Sequence, residues 1–307
     1  MKKNILSVLV LSYNHADYIE KSIKSIFNQK IYLDSIEIIV MDDGSSDGTA
    51  EILDEIKSKS PLPMRILLKE HRGIAGISKS FNEMIELARG KYIAFLSADD
   101  EYYPDRFRNQ IKLLEENPMA KIIHSNGANV KNGIKVSAVL SDNICDVLKS
   151  ENPYKLYSHI TQNNDPLYMQ GLLINSEFLR KFDPFDSELI NDDWIFNIKS
   201  TQSLCQNGFT FKFLNQEVFI RNLLPNSTSN ISAHHIPRVL GVINKYCKTS
   251  SRPKLKMQIY LNQAIISFKN KNFKFIIFTI YSIINGASFF GNELLKKITA
   301  KDARRNS

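Results

Sequence analysis

The sequence predicts an α/β protein with a mainly parallel central sheet flanked by helices. Apolar, β-rich runs at 5–11 (ILSVLVL), 36–41 (IEIIVM), 64–68 (MRILL) and 91–96 (KYIAFL) are separated by stretches of helical spacing. Each run is apolar throughout, as expected of strands covered on both faces of a parallel sheet. Polar clusters follow three of these runs: SYNHAD after the first, DDGSSDGT after the second and SADDEYYP after the fourth. Ligands of such sheets bind beyond the carboxyl ends of the strands, so the three clusters are expected to converge on one cleft.

The opening MKKNILSVLVLSYN has the lysines and apolar run of a signal peptide, but no small-residue cleavage site follows, and it reads as a buried first strand. In 15–29, Ile19, Ile23, Ile26 and Phe27 share one helical face; in 74–89, Ile77, Phe81, Met84, Ile85 and Ala88 do the same. From 126 to 168, short apolar runs with Gly127 and Gly133 suggest hairpins and loops. QGLLIN then predicts a short strand leading to a helix, a loop and a second helix starting near Asp192, while 208–221 alternates well enough for one or two strands.

After PNSTSN the composition turns basic, with long helical patterns, which divides the chain into a main domain at 1–230 and a basic helical C-terminal extension at 231–307. Within the extension, FKFIIFTIYSIINGASFF (273–290) has the outline of a membrane span, but Lys274, Thr279, Ser282, Asn285 and Gly286 interrupt it. A crossing helix needs ~20 mainly apolar residues. A buried amphipathic helix is expected here, ahead of a helix lying in the membrane interface and of a true span.

With 43% hydrophobic and 23% charged residues among 307, the chain can build a sizeable core. Its net charge of +8 suits a polyanion, an anionic membrane surface or a phosphate-bearing small molecule. Nucleic acid is not expected, because no array of aromatic and basic residues accompanies the charge. Cys145, Cys205 and Cys247 are odd in number and lack a C-x-x-C pattern, so neither a disulfide framework nor a zinc site is indicated, and a reducing compartment fits.

Four clusters carry candidate chemistry. In DDGSSDGT (42–49), Gly44 permits unusual dihedrals and Ser45, Ser46 and Asp47 can cap the next helix; Asp42 and Asp43 go beyond that, as acceptors for a base N–H or a ribose hydroxyl. Ser12 and Tyr13 end the first strand, where the tyrosine either packs or stacks on a nucleobase. Asp99 and Asp100 abut a buried strand and call for a positive partner: a divalent cation such as Mg²⁺ or Mn²⁺, which favours one or two carboxylates with substrate phosphates and water. N-capping of a helix starting near Pro104 is the competing reading, with Asp105 better placed for it. NDDW (191–194) puts Asp192 and Asp193 at a helix start, as caps or as a base whose pKa a like charge and an aromatic ring raise. His234 and His235 read as surface residues.

Taken in order, LSVLVLSYNHADYIEKSIKSIFNQ, IEIIVMDDGSSDGT, GISKSFNEMIELARGKYIAFLSADDEYYPDRF and INDDWIFNIKS resemble the family-two glycosyltransferases of GT-A fold, from about residue 5 to 222. The resemblance implies an inverting transfer of a sugar from a nucleotide-diphosphate donor, usually UDP-linked, to an acceptor hydroxyl. It implies that Tyr13 and Asp42, with Asp43, hold the nucleoside, that Asp99 and Asp100 bind ribose and a Mn²⁺ or Mg²⁺ ion, and that Asp193, next to Asp192, is the general base. The chain departs from the family pattern at Phe81, where many relatives have Arg, so contacts to uracil or phosphate fall to another residue such as Lys79. It departs again at Ser97, in the first acidic place of a longer signature, and at Leu223 and Leu224, where relatives often carry a His after an Arg such as Arg221.

The expected function is synthesis of a surface polysaccharide on a glycan or lipid-linked acceptor. It is placed in the cytoplasm at the inner face of the cell membrane, with the extension touching anionic lipid. The alternative is a non-catalytic module that keeps the fold and binds glycan, membrane or a protein partner.

Overall fold

The computed structural model describes residues 5–30, 36–73, 76–163, 165, 167–189, 192–224, 236–269 and 274–303. Two compact units make up the chain, one of 1–157, 165–188 and 192–225, the other of 158–164, 189–191 and 226–307. The expected boundary at 230 and the pair His234 and His235 lie outside the described residues.

In the first unit, β1 (Leu6–Ser12), β2 (Ile36–Asp42), β3 (Met64–Leu68) and β4 (Tyr92–Ser97) pair in parallel, with β1 between β2 and β4. Helices α1 (Ile19–Phe27), α2 (Thr49–Ser58) and α3 (Ile77–Leu87) connect them. The uniform apolar character of β1 and β2 is explained by this covering, since Leu6, Val8, Leu9, Val10, Ile38, Ile39 and Val40 are all fully buried.

Beyond β4 the sheet changes direction. Its neighbours in order are β8 (Leu173–Asn175), β6 (Ala120–Lys131), β9 (Thr210–Asn222) and β5 (Glu101–Tyr102), and β7 (Ile134–Ala138) hairpins onto β6. β8 is antiparallel to both β4 and β6, whereas β6 and β9 run parallel. The sequence 208–221 is therefore one strand, and its register against β6 shifts around Asn126. Helix α4 (Arg106–Glu116) follows β5; α7 (Ser176–Leu179) and α8 (Asp192–Asn207) follow β8.

The expectation of hairpins and loops over 126–168 is corrected in part. The hairpin is there, but 142–160 is largely helical, as α5 (Asp142–Lys149) and α6 (Pro153–Ile160). Ser141 caps α5 by accepting from the Ile144 amide, and Asn152 accepts from the Tyr154 and Lys155 amides ahead of Pro153 in the first turn. Each helix spans only about two turns, too short for its apolar spacing to stand out. Asp105 also departs from expectation: its side chain makes no capping bond to α4 and instead pairs with Lys30 at 3.0 Å.

In the second unit lie α9 (Ile236–Tyr246), α10 (Arg252–Lys269) and α11 (Lys274–Ala303). Helix α11 folds back on α10: Tyr260 stacks on Phe278 and Tyr281, and Ser282 donates to the Met257 carbonyl. The buried amphipathic helix expected at 273–290 is only partly found, because much of its apolar surface is exposed. No described helix is long and apolar enough to cross a membrane.

Candidate active site

The ends of β1 and β2 are tied together by hydrogen bonds within the protein. Asp42 stands opposite Ser12 in the sheet register, and its two carboxylate oxygens accept from the Ser45 amide at 2.9 Å and the Ser45 hydroxyl at 2.6 Å. Asn14, at φ 52°, accepts from the Ser46 amide, and Asp47 accepts from the Ala16 amide and the Thr49 hydroxyl. Gly44 is required where the chain turns: its φ is +74°, and a Cβ there would lie 2.6 Å from the His71 amide nitrogen. Asp43, also buried, accepts from the amides of Arg72 and Gly73 and faces His71 Nδ1 at 2.9 Å. His71 in turn stacks on the exposed ring of Tyr13, centroids 4.0 Å apart. Ser12 Oγ is buried with no hydrogen-bond partner, so one polar atom at this end of the sheet is left unsatisfied.

The fourth strand delivers the acidic pair. Ser97 donates to one oxygen of Asp99, and the other oxygen makes no hydrogen bond among the described residues. Asp100 is 3% exposed. One of its oxygens accepts from the Asn222 amide at 3.0 Å and the other from Gln170 Nε2 at 2.9 Å. Burial, and then the neighbouring Asp99, push its carboxyl well above the ordinary carboxylate range, against the smaller opposing pull of Asn222, Arg221 and Gln170.

The second acidic pair sits in the first turn of α8. A helix N-terminus favours anions by about 0.3–1 kcal/mol, which alone would lower these pKa values by less than one unit. Burial outweighs it: Asp192 is pushed up to about 6 despite accepting from Ser78 Oγ at 2.5 Å, and Asp193 to about 7 despite accepting from the Met169 amide at 2.7 Å. Asp192 adds to the rise at Asp193, and Arg221 opposes it.

A single 3-10 turn, Met169–Gly171, connects the two pairs, since Met169 bonds Asp193 and Gln170 bonds Asp100. The turn is anchored from beneath by Arg106, which is fully buried and donates to the carbonyls of Gln170 at 2.5 Å and Leu172 at 2.6 Å while lying over the Tyr102 ring. Arg221 lies over the Tyr168 ring at 4.6 Å and is the positive charge acting on Asp100, Asp193 and Tyr168 alike. Tyr168, Gln170, Arg106 and Asn222 gave no signal in the sequence, because nothing in their spacing marks them. His71 showed only an unremarkable histidine.

Of the other candidates, Lys79 is exposed in the first turn of α3, immediately after the Ser78 that bonds Asp192. Phe81 is buried against Phe95 and Phe185, each at 5.4 Å between centroids, so packing accounts for an aromatic residue at this place. Among the described residues no group of three or more His, Cys, Asp or Glu side chains could hold a metal ion. The donor set that is present, two adjacent carboxylates with one oxygen uncommitted, fits a hard divalent cation that completes its shell with water and substrate phosphates.

An α/β sheet of this order with its acidic pairs past the strand ends is the GT-A fold of nucleotide-sugar transferases, and the structural likenesses agree. A mannosyltransferase from Pyrobaculum calidifontis, solved with GDP-Man and Mn²⁺, superposes with a TM-score of 0.61 at 17% identity over 96% of this chain and 79% of that one. S. aureus TarS 1-349, solved with UDP-GlcNAc, gives 0.60 at 17% identity over 81% and 69%. Residues 7–176 match Glycosyl transferase family 2, and the chain belongs to that family. The Escherichia coli UDP-Glc:alpha-D-GlcNAc-diphosphoundecaprenol beta-1,3-glucosyltransferase WfaP is 32% identical over 111 residues, 36% of this chain and 41% of that relative. Two further curated relatives are likewise matched over less than half their length, 35% and 45%.

Proposed function

We propose that the protein is an inverting, metal-dependent glycosyltransferase. It moves a sugar from a nucleotide-diphosphate donor, a UDP-sugar, to a hydroxyl of a glycan or lipid-linked acceptor in surface polysaccharide synthesis at the inner face of the cell membrane. The observation that carries the reading is the turn Met169–Gly171, which joins a carboxylate with a pKa near 7, Asp193, to the acidic pair at the end of β4.

Each side chain then has a part. Asp193 accepts the proton of the acceptor hydroxyl as its oxygen attacks the anomeric carbon and the bond from that carbon to the nucleotide diphosphate breaks. A base with a pKa near 7 is about half ionised at neutral pH and strong enough to take that proton. Asp192 raises the pKa of Asp193 and is itself held by Ser78. Tyr13 stacked on His71, with Ser12, Asp42 and Asp43 behind it, offers the nucleoside a flat face and an acceptor set, and Lys79 offers a positive charge to the phosphates. Asp99 and Asp100 would hold Mn²⁺ or Mg²⁺, which neutralises charge on the departing nucleotide. The test is transfer from a panel of labelled nucleotide sugars with Mn²⁺, comparing the parent with Asp193→Asn; equal turnover by the two proteins would remove the base and with it this mechanism.

A further inference from the structure

Helices α10 and α11 form a hairpin whose inner side is made by Met257, Tyr260, Phe278, Tyr281, Ser282 and Gly286. Gly286 lets the helices approach, since a Cβ there would lie 2.9 Å from the Met257 sulfur. On the opposite side of α11, Ile276, Ile277, Ile280, Ile283 and Ile284 are 50–64% exposed. With 100° between successive residues, these isoleucines fall within one arc of about 120°, a continuous stripe and not a scatter of single residues. A soluble helix rarely leaves such a stripe bare without an occupant for it.

Charge names the occupant. From Val218 to Asn292 the sequence contains no Asp or Glu, yet it carries Arg221, Arg238, Lys245, Lys248, Arg252, Lys254, Lys256, Lys269, Lys271 and Lys274. Over 226–307 there are 14 Lys and Arg against two acids, Glu293 and Asp302, a net charge of +12, so residues 1–225 carry −4. A second copy docking on the isoleucine stripe would bring two such acid-free basic segments together. A protein partner must supply the missing negative charge and an apolar face at once. A membrane leaflet containing anionic lipid supplies both, and its acyl boundary takes up an apolar stripe lying parallel to the surface.

We propose that the α10–α11 hairpin is an in-plane membrane anchor, with the Ile276–Ile284 stripe of α11 entering the headgroup boundary of an anionic leaflet. No described helix can cross; the contact is peripheral and reversible. The inference concerns lipid and does not depend on the transfer reaction, so either can fail while the other stands.

The test is co-sedimentation of the full chain with vesicles of phosphatidylcholine alone and of phosphatidylcholine with 30% phosphatidylglycerol, a composition chosen as roughly that of an anionic leaflet. Binding is expected to the mixed vesicles and to be at least ~10-fold weaker to the neutral ones. Each charge removed in Lys256→Gln, Lys269→Gln and Lys274→Gln should lower the partition about fivefold. Ile280→Glu together with Ile284→Glu should abolish partition while leaving the helical circular dichroism and the thermal transition unchanged, because both positions face away from α10. No binding to either vesicle overturns the proposal. So does a soluble dimer that the two glutamates dissociate without changing the partition, which would assign the stripe to a second copy.

Discussion

At Asp193 opposing contributions compete, and their sizes decide the outcome. Burial, and then Asp192, oppose the carboxylate; the Met169 amide, Arg221 and the helix terminus favour it, and burial wins, to a pKa of about 7. Because the ionised form is the base, activity should rise with pH, with the ascending limb of kcat/KM centred near 7 and flat above about 8. In Asp192→Asn the like charge is gone, so the limb should move to lower pH, measurable as a shift of the midpoint of the profile. Asp193→Asn keeps the shape of the side chain and should cost about 10²–10⁴ in kcat, with nucleotide binding retained. Asp99→Asn divides differently. It removes one of two carboxylates from the candidate cation site, so titration calorimetry with UDP and Mn²⁺ should show binding at least ~10-fold weaker, whereas binding of UDP with EDTA present should be the same in both proteins.

At the scale of elements, the turn Met169–Gly171 is placed by a buried guanidinium, and the consequence can be read as a mutation. Arg106→Met has similar volume but leaves the Gln170 and Leu172 carbonyls without their donors. Each unpaired carbonyl costs roughly 1–3 kcal/mol, so denaturant unfolding should show a loss of about 2–6 kcal/mol. Transfer should fall further than stability, since Asp100 and Asp193 are both bonded to this turn. A variant that is equally destabilised but fully active would show that the turn does not position the two acids. What the sequence reveals follows the same division. Strands β1, β2 and β4 are legible because burial on both faces makes them apolar runs, and the polar clusters at their ends are legible because strand polarity fixes where they lie. The second half of the site is built otherwise. Tyr168, Gln170 and Asn222 arrive from a 3-10 turn, the residue before it and a strand whose pairing shifts at Asn126, and they act through hydrogen bonds and ring contacts that no residue spacing encodes. Helices α5 and α6 were hidden for a related reason, each being eight residues long.

Across the whole molecule, two buried groups limit stability from opposite sides of the pH scale. His124 lies inside β6, fully buried beside Phe211, with both ring nitrogens unpartnered, and burial pushes its pKa down to about 3. Below about 6.5 the unfolded chain binds a proton there that the folded chain does not, so stability falls as pH falls, by about 1.4 kcal/mol per unit. Asp193 has the opposite sign. Its pKa is raised in the folded state, so between about 4 and 7 the folded chain holds the extra proton, and stability falls as pH rises through that range to level off above it. Asp192 adds to this up to about 6. Between about pH 4 and 6 the raised carboxyls of Asp193, Asp192 and Asp100 together outweigh the single histidine, which predicts a thermal transition that rises as pH falls to about 4 and drops below it, once the carboxylate contributions have faded and the histidine acts alone. Two substitutions separate the contributions. His124→Leu removes the neutral buried base, and its transition temperature relative to that of the parent should rise as pH falls from about 6 to 4. Asp193→Asn removes the buried acid, and its advantage over the parent should grow from pH 5 to pH 7 and then stay constant. A parallel offset of either variant from the parent across the whole range would mean that the group titrates alike in the folded and unfolded chains, contrary to its burial.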